Sequence, residues 1–205
     1  AFPYLTAQEI AVGDVPCLAS RVTYVGELGW ELYCPSEFGL RLWDTLWEAG
    51  GPHGLMAGGY RAIESLRLEK GYRAWGSDIT PETTPDEAGV SFAVRLAKET
   101  PFIGQAAVVS SRAAGQTRKL CCLVLEDPLA VALGGEPVRH GEDIVGRVTS
   151  GGYGYTVGHS IAYSYLPMAQ TAVGTAIQVE VFGQWIPAVV AKEPLWDPKG
   201  ERIRA

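Results

Sequence analysis

The spacing of apolar and polar side chains changes character along the chain, from mixed helix and strand periods to strand periods alone. Residues 17–25 (CLASRVTYV), rich in β-branched and aromatic side chains, predict a strand. Residues 29–34 alternate, with Trp30, Leu32 and Cys34 on one side and Glu31 and Tyr33 on the other, and predict a second. Ser36 reads as an N-cap with Glu37 in the first turn. The stripe Phe38, Leu40, Leu42, Trp43, Leu46, Trp47 then forms a helix that Gly50-Gly51 closes. Ile63, Leu66 and Lys70 recur at helical spacing, so a second helix is expected over about 57–70, with Gly71 as its C-terminal stop. The stretch from Trp75 to Gly89, with its prolines and small polar residues, reads as loop, and loops of that length are more often functional than idle. Gly104 to Ala114 is a short helix ending at Gly115.

Beyond about residue 115 only short strands are expected: 120–125, 143–149, 160–166, 177–182 and 186–191, with Gly183-Gln184 as a tight connection. The fold class that follows is α+β. An antiparallel sheet with helices occupies 1–114, and a small all-β sandwich or barrel occupies 115–205. The run Gly151-Gly152-Tyr153-Gly154 lies among strands and reads as a bulge or tight bend before a phosphate loop.

Composition narrows the function classes. The 205 residues are 47% hydrophobic and 20% charged, with net charge -6 and no basic cluster, so nucleic acid is not an expected partner. An anionic ligand needs a local basic pocket rather than a basic face. No apolar run reaches the ~20 residues of a membrane span, and the N-terminus lacks the pattern of a signal peptide. The absence of an initiator Met suggests a processed chain or part of a longer one. Cys17, Cys34, Cys121 and Cys122 sit in apolar stretches at spacings suited to neither zinc nor a redox pair. They read as buried free thiols in a reducing compartment. His53, His140 and His159 form no metal-spaced pair, and no P-loop, dinucleotide fingerprint or Gly-x-Ser-x-Gly elbow is present. No metal site is expected.

Three segments remain: Tyr24 to Glu31 (YVGELGWE), Tyr60 to Arg73 (YRAIESLRLEKGYR), and Asp78-Ile79 with Thr83 to Phe92 (TTPDEAGVSF). The order Y-x-G-E-x-G-x-E, S-L-R-L-E-K-G-Y, T-x-P-x-E-A-G resembles the folate-binding fold of the glycine-cleavage aminomethyltransferases. The stretch from Val148 to Pro167 resembles that family's C-terminal β-barrel domain. Glu69 to Arg73 with Trp75-Gly76 is closer to the dimethylglycine and sarcosine dehydrogenase branch.

The resemblance implies a tetrahydrofolate ligand. Reduced pteridine offers a 2-amino group and an adjacent ring N–H, two donors that one carboxylate can accept together. By resemblance that carboxylate is Glu31, which is then expected to point into a cleft beside Tyr24 and Phe92. Glu27 supports the pocket or is exposed, and Asp78 fixes its loop by turn hydrogen bonds. Family members carry an Arg where this chain has Ile63. Arg61 lies two residues earlier, about 200° around a helix, and so does not share that face. The acid at the reacting folate nitrogens has no match here, and the segment alone is expected to be inactive. The implied reaction forms 5,10-methylenetetrahydrofolate from an aminomethyl or iminium donor. It involves a fused or associated flavin oxidase domain or a lipoyl carrier protein, in the cytoplasm or the mitochondrial matrix. A non-catalytic folate-binding module of regulatory or repair type is the alternative.

Overall fold

A computed structural model describes residues 2–205. Three strands, β1 (Ala7–Val12), β2 (Val15–Ser20) and β3 (Glu31–Tyr33), form an antiparallel sheet in the order β1-β2-β3. Gly13 and Asp14 make the two-residue turn of the β1–β2 hairpin, and Gly13 takes φ +61°, as such turns require. Helix α1 (Gly39–Gly50) covers one face of the sheet, with Leu42 packed in a cluster with Val15 and Cys17. The ladder places Leu18 opposite Tyr33 and Ser20 opposite Glu31. Successive side chains alternate faces, so Leu18, Glu31 and Tyr33 share the face away from Cys17, and all three are exposed.

Helix α2 (Tyr60–Lys70) ends at Gly71, whose φ of 73° supplies the left-handed stop expected from sequence. Helix α3 (Gln105–Ala114) follows the long loop. The remaining strands are β4 (Arg118–Leu125), β5 (Pro137–His140), β6 (Asp143–Gly154), β7 (His159–Pro167), β8 (Ala176–Val181) and β9 (Gln184–Ala191). They close into a six-stranded barrel, β4-β7-β6-β5-β8-β9, because β4 pairs with both β7 and β9. Its interior is apolar: Leu123, Val138, Ala162, Leu166 and Val179 have no solvent contact.

Several expectations need correction. The strand expected to reach Val25 stops at Ser20, because the chain leaves the sheet to carry Tyr24 to the end of α2. Trp30 lies just outside β3, exposed and under the Arg21 guanidinium. Ser36 caps no helix: it begins a 3-10 turn (Ser36–Phe38) that leads into α1, whose N-cap Phe38 makes no side-chain cap bond. Strand β6 runs through the glycines instead of ending at Thr149, and its bulge lies between Val148 and Ser150. The glycines are there for close approach. A Cβ on Gly151 stands 2.4 Å from the Ala132 carbonyl oxygen, and one on Gly152 stands 2.9 Å from Leu68 of α2.

Because the atoms facing Gly151 are backbone, they cannot rotate aside. Gly151→Ala is expected to cost about 1–3 kcal/mol of stability by overpacking. Gly39→Ala, at a helical position with open space around it, is expected to cost nothing. Urea denaturation of both variants checks the contrast.

Candidate ligand cleft

The last turn of α2 organises the site by burying charges. Arg67 is 1% exposed, and its Nη1 donates to Asp78 Oδ2 at 2.6 Å and to Ser150 Oγ at 3.2 Å. Its Nε and Nη2 donate to Glu64 Oε2 at 3.0 and 2.8 Å. Burial disfavours the Arg67 cation, but Asp78 and Glu64 outweigh it and hold its pKa above the ordinary arginine value. Asp78, also 1% exposed, accepts from Thr149 Oγ1 and Ser150 Oγ at 2.6 Å each and from the Ala74 amide at 3.0 Å. It thus fixes the loop, as expected, and ties it to the barrel. Glu69 is fully buried, and its Oε1 accepts from the amides of Thr156 and Val157 at 2.6 and 3.3 Å.

Beyond Gly71 the chain turns, and Tyr72 and Arg73 enter a cleft of about 650 Å³ between the Gly89–Phe92 turn and residues 193–204. Two ion pairs fasten that C-terminal segment. Arg73 donates from Nη1 and Nη2 to Glu193 at 3.0 and 2.6 Å, a bidentate pair. Lys70 Nζ donates to Asp197 Oδ2 at 2.8 Å and to its carbonyl oxygen at 2.6 Å. Asp197 also accepts from the amides of Glu201 and Arg202, at 2.8 and 3.2 Å, and so shapes the last turn of the chain.

The hydrogen bond from Lys70 holds the Asp197 carboxyl below its ordinary value of 3.8, against burial that raises it. A depressed carboxylate contributes stability that is present above its unfolded pKa and lost as pH falls through the folded one. Asp197→Asn is therefore expected to melt below wild type at pH 7. The gap is expected to narrow as pH drops below about 3.8. Thermal unfolding across that range checks it.

The Y-x-G-E loop lies against this hub. Gly26, at φ +73°, lets the Lys70 stem pass: a Cβ there stands 2.8 Å from Lys70 Cγ. Tyr24 donates its hydroxyl to the Arg73 carbonyl at 2.8 Å and stacks on Tyr72 with ring centroids 5.8 Å apart. Phe92 lines the cleft directly and is 89% exposed. Glu27 accepts from Trp196 Nε1 at 2.8 Å and lies 3.7 Å from Arg202, so it anchors the C-terminal segment. Glu31 stands on the open face of β3, accepts from the Tyr33 hydroxyl, and has no cationic partner among the described residues. Arg61 is exposed on α2 and makes no ion pair among the described residues. Phe92 therefore lines the cleft, whereas Tyr24 is joined to it only through Tyr72 and Arg73, and Tyr24, Glu31 and Arg61 are not among its lining residues.

Sequence reasoning assigned no role to Tyr72, Arg73 or the 193–204 segment. The Glu-Lys-Gly-Tyr-Arg run was the available signal for the first two. The segment itself has no periodicity to read. Among the described residues no group of three or more His, Cys, Asp or Glu is placed to hold a metal ion, and no helix is long and apolar enough to cross a membrane. The four cysteines are free, and burial pushes the thiols of Cys121 and Cys122 up to about 11 and about 12.

A helix-covered antiparallel sheet joined to a closed six-stranded barrel defines an aminomethyltransferase-type fold. Comparison with known proteins carries the assignment further. The family profile described as GCVT N-terminal domain matches residues 1–98, and that of the glycine cleavage T-protein C-terminal barrel domain matches residues 118–197. The chain belongs to this aminomethyltransferase family. It is 39% identical over 194 residues to mitochondrial dimethylglycine dehydrogenase of Homo sapiens, a match covering 95% of this chain and 22% of that protein. To mitochondrial sarcosine dehydrogenase of Mus musculus it is 36% identical over 211 residues, covering 100% of this chain and 23% of the other. The crystal structure of glycine cleavage system aminomethyltransferase T from Bartonella henselae superposes with a TM-score of 0.86 at 29% identity, over 96% of this chain and 53% of that one. The chain thus spans under a quarter of the two dehydrogenases and about half of the Bartonella protein.

Proposed function

We propose that this chain is the tetrahydrofolate-binding C-terminal part of a one-carbon transferase of the dimethylglycine and sarcosine dehydrogenase branch, divided near residue 115. The observation that carries the reading is Glu31. A carboxylate has about four acceptor sites. Tyr33 uses one here and, among the described residues, no cation competes for the rest, so acceptor sites remain for two adjacent ring donors. Tyr24 is fixed by the Arg73 carbonyl and by Tyr72, two residues that line the cleft, and offers a rigid aromatic surface near that carboxylate in sequence.

Bound tetrahydrofolate supplies the two nitrogens that take up a one-carbon unit at the formaldehyde level. The chain's own residues bind and orient: Glu31 accepts the pteridine donors, Tyr24 and Phe92 limit where its rings lie, and the Arg67–Asp78 network keeps those walls rigid. The donor belongs to a flavin oxidase domain or a lipoyl carrier protein acting with this chain. Calorimetric titration with tetrahydrofolate tests the reading, with binding that weakens on Glu31→Gln as the expected outcome.

A further inference from the structure

We infer that Cys17 and Cys34 are a thiol pair that closes reversibly into a disulfide, and that this bond fastens β3, the strand of Glu31, to the sheet. The inference does not depend on the folate reading, because it concerns the scaffold that presents the motif loop.

The two residues lie far apart in sequence, at a spacing that matches no redox motif. The sheet brings them together. Strands β2 and β3 pair with Leu18 opposite Tyr33 and Ala19 opposite Leu32, and one further step along that ladder sets Cys17 opposite Cys34. The kind of pair follows from the neighbouring hairpin. Val12 and Val15 flank its two-residue turn and are the hydrogen-bonded pair that closes it. Hydrogen-bonding direction alternates along a strand, so the amide and carbonyl of Cys17, two residues on, also point to β1. Toward β3, Cys17 and Cys34 therefore form a non-hydrogen-bonded pair, the closer of the two kinds, with Cα atoms about 4.5 Å apart. A disulfide accepts about 4.4–6.8 Å. Both side chains turn to the α1 face, where they pack in one cluster with Val15 and Leu42. Burial raises the Cys17 thiol, and the nearby Cys34 raises it further.

Exposure sets the order of events. Cys17 is 5% exposed, whereas Cys34 is half-buried and open to a reagent. A small-molecule disulfide such as oxidised glutathione supplies the oxidising equivalents. The Cys34 thiolate attacks one of its sulfurs, a mixed disulfide forms, and one small thiolate leaves. Cys17, having lost its proton to water, attacks the Cys34 sulfur and expels the second. Two protein thiols are oxidised to one disulfide, and one small disulfide is reduced to two thiols. Excess thiol reverses both steps. The bond closes a loop over residues 18–33, which contains Tyr24, Gly26, Glu27 and Glu31. Strand β3 is three residues long and, among the described residues, pairs with β2 alone, so little else holds it. Cys121 and Cys122 are poor rivals. They are adjacent in β4 and buried, and their raised thiols supply little of the thiolate that attack requires.

The test treats the whole chain with oxidised glutathione or with dithiothreitol, then digests it without reduction for mass spectrometry. The oxidised sample is expected to yield a Cys17–Cys34 cross-linked peptide that dithiothreitol removes. Its melting temperature is expected to rise by about 5 °C or more over the reduced protein, since the bond restricts the unfolded chain. Amide hydrogen exchange at Leu32 and Tyr33 is expected to slow. Cys34→Ser and Cys17→Ala are each compared with themselves under the two treatments, so a change in basal stability does not enter. Neither is expected to gain stability on oxidation. Glutathione retained on Cys34 alone, a cross-link through Cys121 or Cys122, or oxidised wild type that melts or exchanges as the reduced protein does overturns the inference. Tetrahydrofolate is absent throughout, so the folate reading stands or falls separately.

Discussion

Asp78→Ala is expected to lower the unfolding free energy by about 3–5 kcal/mol, the range seen when one member of a buried, hydrogen-bonded ion pair is removed. The cause is what the change leaves behind. Arg67 stays charged, buried and without its 2.6 Å partner, and the hydroxyls of Thr149 and Ser150 and the Ala74 amide lose their acceptor together. Helix α2, the long loop and β6 all meet at this carboxylate, so no single element can relax to cover the loss. Arg67→Ala is expected to be comparably damaging. The double variant is expected to cost less than the sum, since each single change strands the other charge. Urea denaturation of the three proteins measures this. A loss under about 1 kcal/mol for Asp78→Ala would mean that the network is not structural.

That network also shows why sequence took the fold further than the site. Helix α2 was legible at its end, where Gly71 stops it, but its buried face was not. Its buried residues are Ser65, Arg67, Leu68, Glu69 and Lys70, of which only Leu68 is apolar, so a helix that buries charge as ion pairs gives periodicity little to detect. The barrel strands were read as short runs set off by Gly, Pro and Asp, apart from β5, a four-residue strand that begins at Pro137. β1 was missed because five of its six residues are exposed, so burial imposes no alternation on it. In 17–25 the strand composition was real but misleading: Val22 and Tyr24 favour extended backbone, yet the contacts of Tyr24 with Arg73 and Tyr72 draw the chain out of the sheet. For the site, the motif glycines and Asp78 were readable because their roles are local. The cleft was not, since it joins residue 72 to residues about 120 positions away through Arg73 and Glu193.

The central claim is that Glu31 recognises reduced pteridine, and its substitution carries the other large expected effect. Glu31→Gln keeps the shape of the side chain but replaces one acceptor oxygen by an amide donor, set against the pteridine's own donors. Losing a charge-assisted pair of this kind costs about 1.5–3 kcal/mol, or about tenfold to a hundredfold in affinity. The side chain is exposed on the open face of β3, so the fold has little stake in it and thermal unfolding is expected to be unchanged. Titration of tetrahydrofolate into wild type and Glu31→Gln is the direct measurement. The account predicts binding to wild type and a tenfold or greater loss in a variant that melts at the same temperature. Equal affinities in two equally stable proteins would contradict it.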